Sequence, residues 1–217
     1  MEQPFDYKAE ARALLRDRCV WKKICRGVWQ ELRPEKKNLV GFFTPLFIGA
    51  IAAIYVATIE QTVSITEQIC DMLLTAQLSI FACILTVYSI MLALMSDNYI
   101  KNMMRAQADS ETSYLKRSIG YFENVMYLYF IAIAVSLMFK LVLICISDHF
   151  RLTKSLLADE MIAGILLTGY FVFSFRTIYE VKSIIGNTAL LFRASIAFKM
   201  MEFQKQEMES SDKDTSQ

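Results

Sequence analysis

The sequence predicts an all-α, polytopic membrane protein with four transmembrane helices. An N-terminal amphipathic helix, a helical extension of the spans and a C-terminal helix are expected on the cytosolic side. Three observations carry this. Of 217 residues 55% are apolar, and they gather in stretches at 39–59, 72–95, 121–146 and 161–179. Each stretch is near the ~20 residues with which an α-helix crosses a ~30 Å hydrocarbon layer. Apolar residues also occupy every face of them, as in VGFFTPLFIGAIAAIYVATI, whereas a helix with one face in water alternates apolar with polar. The third observation is that positive charge crowds on one side of the stretches.

That asymmetry gives the orientation. Arg16, Arg18, Lys22, Lys23, Arg26, Arg33, Lys36 and Lys37 precede the first span. Lys101, Arg105, Lys116 and Arg117 follow the second, and Lys182, Arg193, Lys199, Lys205 and Lys213 follow the fourth. The segment 60–71 has no Lys or Arg, only Glu60, Glu67 and Asp71, and is expected to be a turn. The turn after the third span holds Arg151 and Lys154, offset by Asp148, Asp159 and Glu160. Basic residues concentrate in cytoplasmic loops, so both termini are predicted cytosolic. The net charge of +1 hides this and says nothing of partners.

The expected order is a basic arm (1–38), a four-helix membrane domain (39–182), a cytosolic helix (183–209) and a disordered tail (210–217). Residues 4–34 read as an amphipathic helix, with Trp21, Ile24, Cys25, Val28, Trp29 and Leu32 in one stripe. Trp21, Lys22, Lys23, Arg26 and Trp29 suit the inner headgroup layer. The competing reading packs the helix on the spans or on a partner. The Met1 start carries no apolar core with a small-residue cleavage site, so no cleaved leader is expected and the first span directs insertion.

In the first span, beyond Pro45, Gly49, Ala53 and Ala57 form a small-residue row, with Gly164 and Thr168 of the fourth span as counterpart. Such rows let helix backbones approach closely, within the chain or between subunits. Thr75, Gln77, Ser79, Thr86 and Ser89 make the second span the most polar, through interhelical hydrogen bonds or as a pore lining. It is expected to continue past the membrane, since 97–119 lacks Pro and Gly, in a helical hairpin with its tip near 107–112. Lys140 of the third span is within snorkelling reach of the outer interface. Arg176 and Glu180 are one turn apart, a spacing suited to an ion pair, and Glu123 joins them if their helices are neighbours. Such a polar lock is either purely structural or the element that yields when the bundle is pulled. Gly186 and Asn187 mark an expected helix break. Beyond it Phe192, Ile196, Phe198 and Phe203 carry apolar surface that needs cover, from a second copy, an effector, the chain's own hairpin or the headgroups.

Five cysteines include no CxxC pair, and Cys19 and Cys25 have no nearby histidine, so zinc is not expected. Cys70 and Cys145 are read as lying at the outer helix ends, where they are either bridged or small apolar fillers. Catalytic constellations are missing from the sequence. The single His149 has no ligand spacing around it, no GxSxG occurs, seven glycines are scattered, and Asp159 and Glu160 are adjacent rather than facing. No enzyme and no cofactor are expected. Two classes remain: a sensor or scaffold that gathers a cytosolic effector, or an oligomeric channel or pore-forming effector. The apolar surface of the cytosolic helices favours the first.

The layout resembles the small four-span membrane subunit of the Kiwa antiphage-defence system, a bacterial family. The likeness covers length, four spans with both ends inside, the arm WKKICRGVW and the helical tail after Ile184-Ile185-Gly186-Asn187. It implies an oligomer in the bacterial inner membrane that senses phage attack and holds a cytosolic DNA-binding partner. The expected partners are therefore the bilayer, further copies of the chain and a cytosolic effector protein. The likeness transfers no catalytic residue, and the chain itself is not expected to bind nucleic acid.

Overall fold

The computed structural model describes residues 21–33, 39–59, 61–95, 97–105, 107–109, 112–146 and 156–214. Its helices are α1 (Trp21–Leu32), α2 (Leu39–Ala57), α3 (Thr62–Leu94), α4 (Asp97–Arg105), α5 (Tyr114–Cys145), α6 (Leu156–Tyr179) and α7 (Val181–Asp214). Strands β1 (Gln107–Asp109) and β2 (Thr112–Ser113) pair antiparallel between α4 and α5. Three runs are long and apolar enough to cross a membrane: Thr62–Ala93, Tyr114–Cys145 and Ala158–Gln204. In α2 the apolar helix Gly41–Ala57 is shorter. Most of each run's surface is not buried by the chain itself, 17% of the apolar window in α3 and 28% in each of the others. Apolar helices so little covered by protein call for hydrocarbon around them.

Boundaries depart from the expectations in four places. The segment expected to be a turn at 60–71 is helical from Thr62, because nothing from Gln61 onward breaks a helix. The connection from α2 is only 58–61 long. The Thr58 hydroxyl donates to the Tyr55 carbonyl and the Thr62 hydroxyl to those of Ile59 and Val56, satisfying the carbonyls that a helix end leaves open. The helical extension is interrupted: α3 stops at Leu94, and α4 starts with Asp97 in its first turn. The tip at 107–112 carries the ribbon, after which Ser113 caps α5 by accepting from the Lys116 N–H at 3.3 Å.

Gly186 and Asn187 do not break the last helix. The turn falls at Glu180, whose N–H is shared between the carbonyls of Arg176 (3.3 Å) and Thr177 (3.2 Å). No glycine among the described residues has positive φ, and a helical Gly costs only about 1 kcal/mol. Residues 210–214, expected to be disordered, continue α7. The arm N-terminal to Trp21, the turn at 147–155 with His149, and residues 215–217 lie outside the described residues.

Two compact units emerge. One contains 21–84 and 124–182, the other 85–123 and 183–214 of the described chain. In the first, α2 runs antiparallel to α6, with Gly49 opposite Val172 and Ala57 opposite Gly164. Its core joins Ala53, Val56, Cys70, Leu73, Leu167 and Phe171. In the second unit Tyr99, Met103 and Leu115 form a core that Leu191, Ala194 and Phe198 of α7 cover. The Phe198 ring meets Tyr99 edge-on at 5.1 Å.

Candidate functional site

The small-residue row is spent inside the chain. A Cβ on Gly49 would lie 2.9 Å from the Val172 backbone nitrogen, so α2 and α6 touch backbone to backbone there. Ala53 is fully buried, and the row extends back through buried Gly41 and Pro45, which the sequence reading did not include. Ala57 sits 3.9 Å from where a Gly164 side chain would begin.

Amphipathic α1 divides its predicted stripe in two. Gly27 and Val28 are buried, with Ile24 and Leu32 half-buried beside them, and a Cβ on Gly27 would run into the Asn124 side chain of α5. Trp21, Cys25 and Trp29, four residues apart, face outward, the tryptophans 70% and 69% exposed. Lys22 and Arg26 are exposed beside them, and Lys23 lies on the same helix. The reading in which the arm packs on the spans holds for one edge, and the other edge is aromatic, basic and exposed.

Arg176 joins these elements. Its Nη1 pairs with Glu180 as the spacing predicts. Its Nη2 donates at 3.1 Å to the carbonyl of Glu31, in the last turn of α1. A cation there satisfies an open carbonyl and meets the negative end of the helix dipole. Nε of Arg176 is buried with no partner among the described residues. Glu123, expected to complete the lock, belongs to the other unit, beside Phe122 whose ring packs on Tyr88.

A groove of about 520 Å³ opens between α1, α2 and α6 beside this hub. Trp29 and Arg33 stand on its α1 side, Phe42 and Leu46 on α2, and Gly169 and Val172 on α6, with Arg176 at one end. Sequence reasoning missed it, because no periodicity reports what three packed helices leave uncovered.

Deeper in the same unit, α3, α5 and α6 share a polar cluster. The Tyr170 hydroxyl lies 3.2 Å from Cys70 Sγ and 3.1 Å from Ser136 Oγ. Ser136 donates to Gln77 Oε1 at 2.9 Å, and the Cys70 thiol faces the Ser136 carbonyl at 3.4 Å. This overturns a Cys70–Cys145 bridge, since both thiols are free, Cys70 buried and Cys145 exposed. The reason is register: Cys70 is level with Ser136, and nine residues of α5, roughly 13 Å of rise, separate Ser136 from Cys145, beyond a disulfide's reach. The groups the cluster brings together from α3, α5 and α6 are hydroxyls, a thiol, an amide and a backbone carbonyl. It fastens three helices.

Near the α2–α3 turn, Lys140 pairs with Asp71 at 2.5 Å, a partner hidden from the sequence while 60–71 was read as a turn. Gln77, one of the five polar residues of the second span, is fully buried within its own chain, and the Ser79 and Ser89 hydroxyls return to carbonyls of α3. Among the described residues no group of three His, Cys, Asp or Glu side chains is placed to hold a metal ion.

Of the four α7 residues expected at a docking face, Phe198 turns inward onto Tyr99 and Phe192 is half-buried. Ile196 and Phe203 are 58% and 61% exposed, and Met200 joins them on the same face. Comparison with protein-family models, curated proteins and solved structures finds no match.

Proposed function

We propose that the chain is a non-enzymatic, oligomeric scaffold of the bacterial inner membrane that holds a cytosolic effector through α7. The carrying observation is that α7 has two apolar faces. Leu191, Ala194 and Phe198 cover the hairpin, while Ile196, Met200 and Phe203 on the opposite side are exposed. Lys182, Arg193, Lys199 and Glu202 punctuate the helix and make it unsuited to hydrocarbon. An apolar face in water, with each large side chain worth roughly 1.5–3 kcal/mol on burial, calls for a protein partner.

Four spans follow if α2 is counted, a helix of 19 residues held backbone to backbone along membrane-crossing α6. The basic flanks then put both termini in the cytosol. Self-association is assigned to α3, where Thr75, Ser79, Ala82, Thr86 and Ser89 are exposed at alternating spacings of four and three. That is the period of a helix–helix seam, and its small side chains permit close approach. The antiphage setting and the sensing role come from the likeness in layout to the Kiwa membrane subunit. A conducting pore is disfavoured by the burial of Gln77 and the return of the seryl hydroxyls to their own helix.

Truncation at Asn187 would strip the hairpin core as well as the free face, so side-chain replacement is the cleaner test. Ile196→Ser, Met200→Ser and Phe203→Ser together leave the packed face intact. The wild-type chain is expected to co-purify with a soluble protein, and the triple variant to insert and stay helical yet lose it. Unchanged co-purification refutes docking by α7.

A further inference from the structure

We propose that the groove between α1, α2 and α6 is a binding site for one anionic phospholipid. Three features point to this ligand. The first is polarity along the groove: Arg33 and Arg176, with Trp29, mark one end, where Phe42 and Leu46 also stand, and Val172, Gly169 and Thr168 continue away from it along α6. From Arg176 back to Thr168, eight residues of α6, the wall extends roughly 12 Å. A cationic, tryptophan-flanked mouth that leads into an apolar channel along a membrane-crossing helix mirrors a lipid in one leaflet.

The second feature is an exposed cation at that end. Glu180 and the Glu31 carbonyl engage two nitrogens of Arg176, whose charge is thereby neutralised. Exposed Arg33 beside Trp29 is the guanidinium left to bind phosphate oxygens. The third is Gly169. A Cβ placed there meets nothing within 4 Å, so this glycine serves no helix contact within the chain and leaves the groove floor open. At about 520 Å³ the space suits the upper part of an acyl chain and falls within the range of small-molecule sites. Because α6 borders hydrocarbon, the molecules that reach the groove are those of the bilayer. Lipid in the groove would touch α1 and α6 together and fix the arm on the bundle. The proposal needs α6 in the membrane and is independent of docking by α7.

The test uses the full-length chain, delipidated in mild detergent and offered equal phosphatidylglycerol and phosphatidylcholine, with bound lipid counted by native mass spectrometry. Wild type is expected to hold one phosphatidylglycerol in preference to phosphatidylcholine. Gly169→Leu, whose side chain enters open space, is expected to reduce that occupancy about tenfold, as loss of one large apolar contact does. Arg33→Gln is expected to abolish the preference between the lipids while apolar retention persists, with helicity unchanged by circular dichroism in both variants. Equal phosphatidylglycerol retention by wild type and Gly169→Leu overturns the proposal, as does equal retention of both lipids by wild type.

Discussion

Arg176 and Lys140 are both cations on apolar helices, and their surroundings give them unequal weight. Arg176 and Glu180 keep only 13% and 10% of their side chains exposed. Arg176→Met would leave the Glu180 carboxylate buried and unpaired, and breaking a buried pair in this way costs about 3–5 kcal/mol. Detergent-solubilised Arg176→Met should unfold at much lower temperature, with faster hydrogen exchange in α1 because the Glu31 carbonyl loses its donor. Asp71, by contrast, is 48% exposed, and Lys140→Met should leave the unfolding temperature almost unchanged. The glycines separate in the same manner. Gly49→Ala drives a methyl into the Val172 backbone and should destabilise by about 1–3 kcal/mol. Gly186→Ala meets open space in a helix and should stabilise by roughly 0.5–1 kcal/mol. Thermal unfolding of the two variants side by side checks the contrast, and a stabilised Gly49→Ala chain would contradict the close α2–α6 approach.

The helices themselves were legible because apolar composition over some twenty residues leaves few alternatives. Their ends were not, for identifiable reasons. Glu60, Glu67 and Asp71 read as an outer turn by charge, yet Thr62–Asp71 has no residue that stops a helix, and the partner of Asp71 is Lys140, sixty-nine positions away. Gly186-Asn187 looks like punctuation locally, whereas the turn is set one helical step after Arg176 by the Glu180 pair. The candidate site was legible in pieces: Arg176 with Glu180, the row Gly49–Ala53, the two tryptophans. Their assembly into a groove depends on α1 packing at Gly27 against Asn124, a contact that no local pattern encodes. The proposed seam on α3 is hidden in the sequence because it depends on Gln77 pointing inward, which leaves Thr75, Ser79, Ala82 and Thr86 outside. Ser79→Leu with Ala82→Leu widens that face without touching the buried cluster. The double variant should dissociate to monomers at concentrations about tenfold or more above wild type, by mass photometry in detergent. An unchanged assembly moves the oligomer contact to another element.

At the scale of the whole chain, the orientation across the membrane is open to a direct reading by native thiols. Cys25 is exposed on α1, in the basic segment, and Cys145 is exposed at the last residue of α5. If the bilayer lies across α2, α3, α5 and α6, these cysteines fall on opposite sides of it. Cys70 is buried against Tyr170 and Ser136, and exposed Cys83 lies mid-way along apolar α3. Thiol alkylation needs the hydrated thiolate, so neither should react appreciably. In a Cys19→Ser background, a membrane-impermeant maleimide applied to intact cells should therefore label Cys145 and spare Cys25 until the membrane is permeabilised. Gln61→Cys, in the turn between α2 and α3, should behave as Cys145 does, which requires α2 to cross and makes the spans four. Ser210→Cys should behave as Cys25 does, which places the end of α7 with the arm. The three results are linked by parity. Labelling of Ser210→Cys together with Cys145 from outside would leave an odd number of crossings and remove the cytosolic face on which an effector is proposed to dock. Protection of both Gln61→Cys and Cys145, with Ser210→Cys labelled, would show that α2 does not cross, reducing the spans to three.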